Sequence, residues 1–569
     1  MNVRILVAAA IIFTIASCSK TNKQGRYVPQ EAAVVLHIDG KTMSEKLPWD
    51  EVKKNPAFEM IKADSSIPLF IQKAFDNPDN AGIDVNNDII IFLTKDERGA
   101  YFCVQGHIKD AEKFKLFNID VTKNGFETKK GDVTYITAQP VVAGFNKNMF
   151  AYVVDAPYTL TGDDKYSRRN KPRLSRDLPG TCENVFNLSA GKSMGENEKF
   201  TELVKQNDVH VWLNMEQILK ANSAMEDIPF GDISKLYEGN IATVAVNFEN
   251  GKVSLKTKNY YSKEITSLYK KYTTDNFDEA MVKNIPAKNV AAFMAMNIKP
   301  AAVQEMMKLA NMESMVNIAM LFMGFSLDDL SSALKGDFMV AIGDFKVKTD
   351  TVKNYFEPGK FEVRNKVEPD MLLAASVKDK DALHKLNKGF DKLKKRSGFS
   401  DIDDTNESAF TAQNDSYFAF STSQQMADDY IKGGNGSFDF LTKLKDNPLG
   451  AYANLQEIIK AAQLDIPADD TAWQKTATVA LKYFKDVYMW GGKYDGGGFV
   501  TNIEINMNDN SSNSLKQINI IAAEIIKIQI EEEKKREERF KNLKFTPPVI
   551  KEEVIPITEP ALAKPVTKK

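Results

Sequence analysis

The sequence repeats itself, and this duplication constrains the fold more than any other feature. The same order of short motifs runs through residues 27–270 and again through residues 283–530. Internal repetition means that one structural unit is built more than once. We therefore predict two related halves with the same arrangement of strands and helices.

Two matched segments open each half. A proline-led strand runs from Val28 to Asp39 and, in the second half, from Ile285 to Asn297. A strand pair then leads into a helix start with the sequence Lys109-Asp110 or Lys378-Asp379. An aspartate at this point can accept a hydrogen bond from a helix-start N–H group that otherwise lacks a partner. We interpret both Lys-Asp pairs as helix caps rather than catalytic groups.

A third matched segment is a strand that ends in an asparagine cap, Asn214 or Asn454. Two long strands follow in each half, joined by a glycine-bearing turn at Gly251 or at Gly496-Gly497. Hairpins imply antiparallel sheets, and the helices between them must pack their apolar side on a sheet face. The predicted fold class is α+β, a tandem duplication of antiparallel sheets covered by helices. Whether the second sheet face meets the sister half or solvent stays open.

Several segments fall outside the repeat. Residues 159–200 mix charges with little periodicity and predict an exposed loop, and residues 344–367 predict a charged insertion within a hairpin. A final helix is expected from Ser514 to about Phe540. Residues 531–569 predict a charged helix end followed by a disordered, Pro-rich tail, which lacks the apolar residues needed for a core.

The N-terminus has the pattern of a lipoprotein signal peptide. Arg4 is followed by an apolar run and by the small residues Ala16 and Ser17 before Cys18. Residues 1–18 are the predicted signal segment, with cleavage just before Cys18. Cys18 would then be acylated with chains such as palmitate, and residues 19–26 would form a tether. An ordinary secretory peptide is the alternative. Several acyl chains would attach the protein permanently to a membrane.

Composition excludes some functions. The chain has 75 Lys and Arg residues, 77 Asp and Glu residues and a formal net charge of −2. Nucleic-acid binding and polybasic membrane attachment both require an excess of basic residues, so neither is expected.

A search for catalytic chemistry gives no assignment, so we predict no catalytic residue, no metal site and no cofactor. The histidines are His37, His107, His210 and His384. None has the spacing of a metal site, and His37 and His210 read as core or edge histidines. Cys103 and Cys182 read as buried thiols, with a disulfide as the alternative.

Carboxylates and tryptophans leave two alternatives open. Asn- and Asp-rich turns hold Asp84 with Asp88, Asp401 with Asp403 and Asp404, and Asp469 with Asp470. Asn and Asp side chains in turns already form hydrogen bonds with the turn backbone. The alternative is that one of these pairs is a catalytic carboxylate pair of a hydrolase or binds calcium. The tryptophans are Trp49, Trp212, Trp473 and Trp490. They are scattered along the chain, so the alternative they allow is a small surface on which a sugar ring stacks.

Cys18, the Val28-Pro29 opening, the Lys378-Asp379 helix entry and the Asn214 and Asn454 caps together resemble a family of uncharacterised outer-membrane lipoproteins of Bacteroidetes-type bacteria. The resemblance implies an envelope location, at the periplasmic face of the outer membrane, and no known activity. The expected function is a non-catalytic binding or scaffold role toward an envelope protein or glycan. The alternatives are an envelope hydrolase with converging carboxylates and a glycan-capture lipoprotein of a nutrient importer.

Overall fold

The structure is a computed structural model. It describes residues 24–56, 80–96, 98–123, 125–156, 176–205, 208–220, 232–322, 324–353, 361–396, 410–467 and 470–542. The predictions for Cys18, for residues 159–175 and for the tail after residue 542 lie outside the described residues, as do those for Asp401, Asp403, Asp404 and Asp469. Within the described ranges, no helix combines the length and the apolar composition needed to cross a membrane.

The described strands of the first half are β1 (Val34–Ile38), β2 (Ile83–Asp84), β3 (Ile89–Asp96), β4 (Gly99–Ile108), β5 (Phe126–Lys130), β6 (Val133–Ala138), β7 (Val141–Phe145), β8 (Met149–Asp155), β9 (Val209–Asn214), β10 (Ile241–Glu249) and β11 (Lys252–Tyr260). Those of the second half are β12 (Val290–Asn297), β13 (Leu334–Lys353), β14 (Phe361–Val377), β15 (Phe410–Gln413), β16 (Tyr417–Ser421), β17 (Leu449–Asn454), β18 (Phe484–Asp495) and β19 (Gly498–Met507).

The described helices of the first half are α1 (Gly40–Lys46), α2 (Trp49–Val52), α3 (Ala111–Thr122), α4 (Leu178–Phe186), α5 (Glu198–Leu203), α6 (Met215–Lys220) and α7 (Lys263–Tyr272). They continue with α8 (Glu279–Lys283), α9 (Pro300–Leu309), α10 (Glu313–Phe322), α11 (Leu327–Ala333), α12 (Lys380–Arg396), α13 (Gln424–Lys432), α14 (Leu441–Leu444), α15 (Leu455–Asp465), α16 (Thr471–Tyr483) and α17 (Ser514–Asn542).

The described strand pairings are all antiparallel and join into one sheet. Its order is β5-β6-β7-β8-β4-β3-β1-β9-β10-β11-β19-β18-β17-β12-β13-β14-β16-β15, and the short β2 also pairs with β4. Neighbour relations recur in the two halves: β1 lies between β3 and β9, as β12 lies between β13 and β17. The predicted duplication of an α+β unit is therefore confirmed. The halves meet edge to edge through β11 and β19, so the sister half does not cover a sheet face.

Apolar clusters lie on both faces of the sheet in the first half. Phe92, Cys103 and Trp212 belong to one buried cluster, which the segment around Val28 and helices α4 and α5 cover. Residues of opposite parity, among them Tyr152, pack against Phe114 of α3 on the other face. Alternation along each strand places neighbours on opposite faces, which is why one strand serves two cores.

The second half repeats this arrangement. Phe293 and Leu372 belong to a cluster with Tyr430 of α13, whereas Val377 packs on the other face with Leu383 of α12. Fully burying a side chain of this size stabilises the fold by about 1.5–3 kcal/mol.

The predicted helix caps are present. Asp110 accepts a hydrogen bond from the Lys113 backbone N–H at 3.0 Å, and Asp379 accepts one from the Ala382 N–H at 2.9 Å. The side chains of Asn214 and Asn454 accept hydrogen bonds from helix-start N–H groups in the same way, each at 3.2 Å. These residues are structural, as the sequence predicted.

The prediction of an exposed loop over residues 159–200 is wrong for its described part. Residues 178–186 form α4, whose buried side chains Leu178, Cys182 and Val185 pack on the sheet. Asp177 caps this helix and Pro179 lies in its first turn, a position that proline tolerates. The apolar spacing of four and three residues is the helical signal that the surrounding charges obscured.

Arg176, just before α4, is buried and anchors the same segment. Its guanidinium donates to Asp96 at 2.6 Å and to Asp155 at 2.9 Å, and lies 4.8 Å from the centre of the Tyr101 ring. The side chain of Arg176 is 1% exposed and that of Asp155 is 5% exposed. Burial of these charges is possible because each one is paired.

The charged insertion at residues 344–367 continues the strands of its hairpin. β13 and β14 stay paired as far as Lys353 and Phe361, so most of the insertion is a β-arm. The predicted last helix is confirmed as α17, and its end beyond residue 531 is largely exposed.

Candidate functional site

The join between the two halves forms a continuous polar surface. Residues directly opposite each other in antiparallel strands point to the same face. Asn247, Ser254, Glu504 and Tyr488 therefore form one row across β10, β11, β19 and β18. Neighbouring rows on this face are also rich in polar groups. The same strands place valine, leucine and isoleucine on the opposite face.

A cavity of about 220 Å³ opens on this polar face. We call the surface formed by its polar and aromatic lining residues the seam groove, namely Asn247, Glu249, Ser254, Lys256, Trp490, Asn502 and Glu504. Both halves contribute to it, so the site exists only in the complete sheet.

Ammonium groups hold the two glutamates of the seam groove. Lys252 Nζ lies 3.4 Å from a carboxylate oxygen of Glu249 and 3.4 Å from one of Glu504. Burial lowers the pKa of Lys252, but the charges of Glu504 and Glu249 raise it more, so it lies above its ordinary value. Lys443 also pairs with Glu504. The groove thus holds carboxylates whose counter-ions are already in place.

Lys443 also lies beside the aromatic wall of the groove. Its Nζ is 4.9 Å from the centre of the Tyr488 ring and 4.7 Å from that of Trp490. An ammonium group in this position gains a cation–π interaction. Trp490 lines the cavity and is half-buried, so part of its apolar ring surface faces the ligand space.

The orientation of Asn247 is set from outside the groove. Lys46 Nζ donates to Asn247 Oδ1 at 3.0 Å and to both carboxylate oxygens of Asp208, at 2.6 and 2.8 Å. Asp208 also accepts a hydrogen bond from the Phe248 backbone N–H at 2.7 Å. With its oxygen engaged, Asn247 can present its amide N–H donors to a ligand.

The two core histidines form a buried pair beside the groove, on the two strands that follow β10 in the sheet. His37 of β1 and His210 of β9 are register partners, with their Nδ1 atoms 2.9 Å apart. They are 0% and 1% exposed, and within the described structure their Nε2 atoms make no hydrogen bond. One Nδ1 must carry the shared proton and the other must accept it, since two protonated Nδ1 atoms would repel.

Carboxylates lie near the histidine pair: Asp88 is beside His37, and the charges of Asp39, Asp208 and Asp88 act on His210. Asp88 Oδ2 lies 3.6 Å from His37 Nε2. Burial raises the pKa of Asp88, but the His37 ring and Gln24 lower it more, so the carboxyl stays ionised. Burial, reinforced by the charge of His37, lowers the pKa of His210 to about 4. His210 is therefore neutral at pH 7.

The other residues singled out in the sequence do not line the groove, although His107 is the register partner of Asp84 and lies near Asp88. His107 lies in β4 and His384 in α12. Asp84 accepts turn hydrogen bonds, and Asp470 caps α16. Among the residues that the structure describes, no group of three His, Cys, Asp or Glu side chains could hold a metal ion.

The cysteines and the remaining tryptophans are structural or isolated. Cys103 and Cys182 are free thiols buried in the same cluster, so the alternative of a disulfide between them is not realised. Burial raises the pKa of Cys182 to about 12, which leaves the thiol protonated and unreactive. Trp212 is buried in the core, and Trp473 is 61% exposed on α16. Trp490 is the tryptophan that lines the groove. The sequence pattern singled out this residue but not the polar residues that surround it in the structure.

A family model matches residues 26–356, more than half of the chain, and its description is a domain of unknown function. The chain belongs to the DUF4836 family. The match covers the first half and the second as far as β13. It thus includes the histidine pair and the β10–β11 side of the seam groove, whereas Trp490, Asn502 and Glu504 lie beyond the matched residues of this DUF4836 protein.

Other comparisons add little to the DUF4836 assignment. No curated protein sequence matches the chain. Two crystal forms of TP0453 are similar in structure with a TM-score of 0.25 each, at 9% and 10% sequence identity. The alignments cover 45% and 42% of this chain and 87% and 78% of the TP0453 chains. A likeness of this size does not place the DUF4836 chain in the fold of TP0453.

Proposed function

We propose that this protein is a lipid-anchored cell-envelope protein with a non-catalytic binding role, and that the seam groove binds a glycan. The observation that carries the proposal is the groove itself. Both copies of the repeat contribute side chains to one open cavity, and these side chains combine hydrogen-bonding groups of both kinds with an aromatic ring.

The chemistry of the groove suits a hydroxyl-rich ligand. A sugar hydroxyl both donates and accepts hydrogen bonds, so its site needs acceptors and donors side by side. Glu249 and Glu504 supply acceptors, Lys256 supplies donors, and Asn502 supplies both. Trp490 adds an apolar surface for the C–H face of a ring. An envelope protein partner is less well matched, because the cores of protein interfaces are depleted of charged residues.

The anchor is the part of the proposal that rests on sequence. The motif ending in Cys18 predicts acylation, and residues 19–23 leave a short polar tether before the described body begins at Gln24. Arg26 donates a hydrogen bond to the Leu188 carbonyl, so the last residues of the tether segment pack against the body. We place the protein at the periplasmic face of the outer membrane on this basis.

A hydrolase is the second candidate because two carboxylates, Glu249 and Glu504, line one cavity. A glycosidase needs one of its two carboxyl groups protonated as an acid. Here Lys252 lies between the two glutamates, and Lys443 adds a second positive charge beside Glu504. Both carboxylates are thus already engaged in ion pairs, an arrangement that suits ligand binding better than proton donation.

Binding is tested with the full-length acylated protein in detergent, against an oligosaccharide array followed by calorimetry on the hits. Trp490→Ala should weaken binding at least tenfold. The matched control is Trp473→Ala, which removes an exposed tryptophan from α16 and should bind as the parent does. Asn502→Ala tests the groove without removing a partly packed ring. If both groove variants bind normally, the seam groove is not the binding site. Release of reducing ends from a bound glycan, lost in Glu504→Gln, would establish the hydrolase instead.

The anchor has its own test. Cys18→Ser should lose metabolic labelling with a fatty acid and leave the membrane fraction, whereas Cys182→Ala should keep the label. Retention of the label or of membrane attachment in Cys18→Ser contradicts the anchor.

A further inference from the structure

One end of the seam groove carries an excess of positive charge. Lys256 lines the cavity, and Lys258 follows it on the same face of β11. Lys199 of α5 approaches from the side: its Nζ lies 4.4 Å from the centre of the Tyr260 ring, and Lys258 Nζ lies 5.3 Å from the same centre. We call Lys199, Lys256 and Lys258 the basic end.

These lysines differ from the others around the groove. Lys46, Lys252 and Lys443 are each paired with a carboxylate. Within the part of the chain that the structure describes, the basic end makes no ion pair. Burial lowers the pKa of Lys199, and the charge of Lys258 lowers it further, because the two ammonium groups repel each other. An anion between them would relieve this repulsion.

The basic end and the aromatic wall are separated by a defined distance. Lys256 is the register partner of Asn502, which is the register partner of Trp490. Two strand spacings of 4.7–4.9 Å place these positions about 10 Å apart across the sheet. An oligosaccharide of two or more rings is long enough to span these two backbone positions.

We infer that the glycan is acidic, an oligosaccharide with a carboxylate, sulfate or phosphate group held by Lys199, Lys256 and Lys258 while a neighbouring ring contacts Trp490. This inference rests on the proposed function and narrows its ligand class. Nucleic acid fits less well, because Glu249 and Glu504 on the same floor would repel a continuous phosphodiester backbone.

The test uses a panel of uronic acid, sulfated and phosphorylated oligosaccharides, each paired with its neutral form, made by methyl esterification of the carboxylates or by removal of the sulfate or phosphate. The full-length acylated protein is titrated with each pair at low and at physiological salt. We expect at least one acidic member to bind tenfold or more tightly than its neutral form, with a preference that shrinks as salt rises.

Variants separate this inference from the proposed function. Lys199→Gln with Lys258→Gln should abolish the acidic preference, whereas the exposed pair Lys235→Gln with Lys263→Gln should keep it. Equal binding of acidic and neutral forms, lost in Trp490→Ala, would overturn the inference and leave the proposed function standing. Binding of neither form contradicts both. Binding of a single-stranded oligonucleotide in place of every glycan would also overturn both.

Discussion

The protein should lose stability as the pH falls from 7.5 to 5, because over this range His210 binds a proton in the unfolded chain but not in the folded protein. The ordinary pKa of an unfolded histidine is about 6.5, and burial with the neighbouring His37 lowers that of His210 to about 4. Between these values the unfolded chain binds a proton that the folded protein does not. The stability that neutral His210 contributes is therefore fully present above pH 6.5 and is lost as the pH falls toward 4.

The magnitude follows from this shift. Integrating the difference in bound protons from pH 7.5 to pH 5 gives a loss of at most about 2 kcal/mol from His210. Burial is the main cause of the shift, and protons on both Nδ1 atoms would also break the 2.9 Å hydrogen bond between His210 and His37. Carboxylates such as Asp88, whose pKa is lowered, take up protons only at more acidic pH.

Urea unfolding at several pH values, followed by tryptophan fluorescence, measures this loss. His210→Asn should be less stable at pH 7.5 and should have a shallower dependence on pH between 7.5 and 5. His384→Asn changes an exposed histidine of α12 and should keep the parent's slope. Equal slopes for the parent and His210→Asn would refute the reasoning, since the proton uptake would then belong to other groups.

Two substitutions test the packing of the first half. Arg176→Met should cost about 3–5 kcal/mol, because it breaks the ion pair between a buried guanidinium and the buried Asp155 carboxylate; Lys130→Met, which breaks an exposed pair, should barely change the urea midpoint. Phe114→Ala should cost about 3–5 kcal/mol through the cavity it leaves beneath α3; Phe126→Ala, at a side chain that is 70% exposed, should unfold at nearly the parent's urea concentration.

Local patterns in the sequence predicted many of the strands, helices and helix caps. The Asn214 and Asn454 caps predicted the matching strand–helix corners, because capping depends on residues only three positions apart. The α4 helix was missed since its three apolar residues stand among charges. Its contacts with the sheet, rather than its own pattern, determine that it is buried.

The candidate site was much harder to predict. The alternating polarity of β11 and β19 was visible in the sequence, but nothing in either strand indicates that they pair with each other. His37 and His210 are similarly distant in sequence, and only the pairing of β1 with β9 brings them together. The carboxylates in turns are recognisable in the sequence because they are close together along the chain. Glu249 and Glu504 are far apart along the chain and come together only because their strands belong to one sheet.

The pairing of β11 with β19 has a consequence for biosynthesis. Partners such as Leu255 and Ile503 are roughly 250 residues apart, a distance that translation at about 5–20 residues per second covers in roughly 10–50 s. During that interval a nascent first half would expose the backbone N–H and C=O groups of β11 as an open edge, which invites pairing with other chains. A chaperone that shields such edges would suit this protein, and truncation before β19 should favour aggregation.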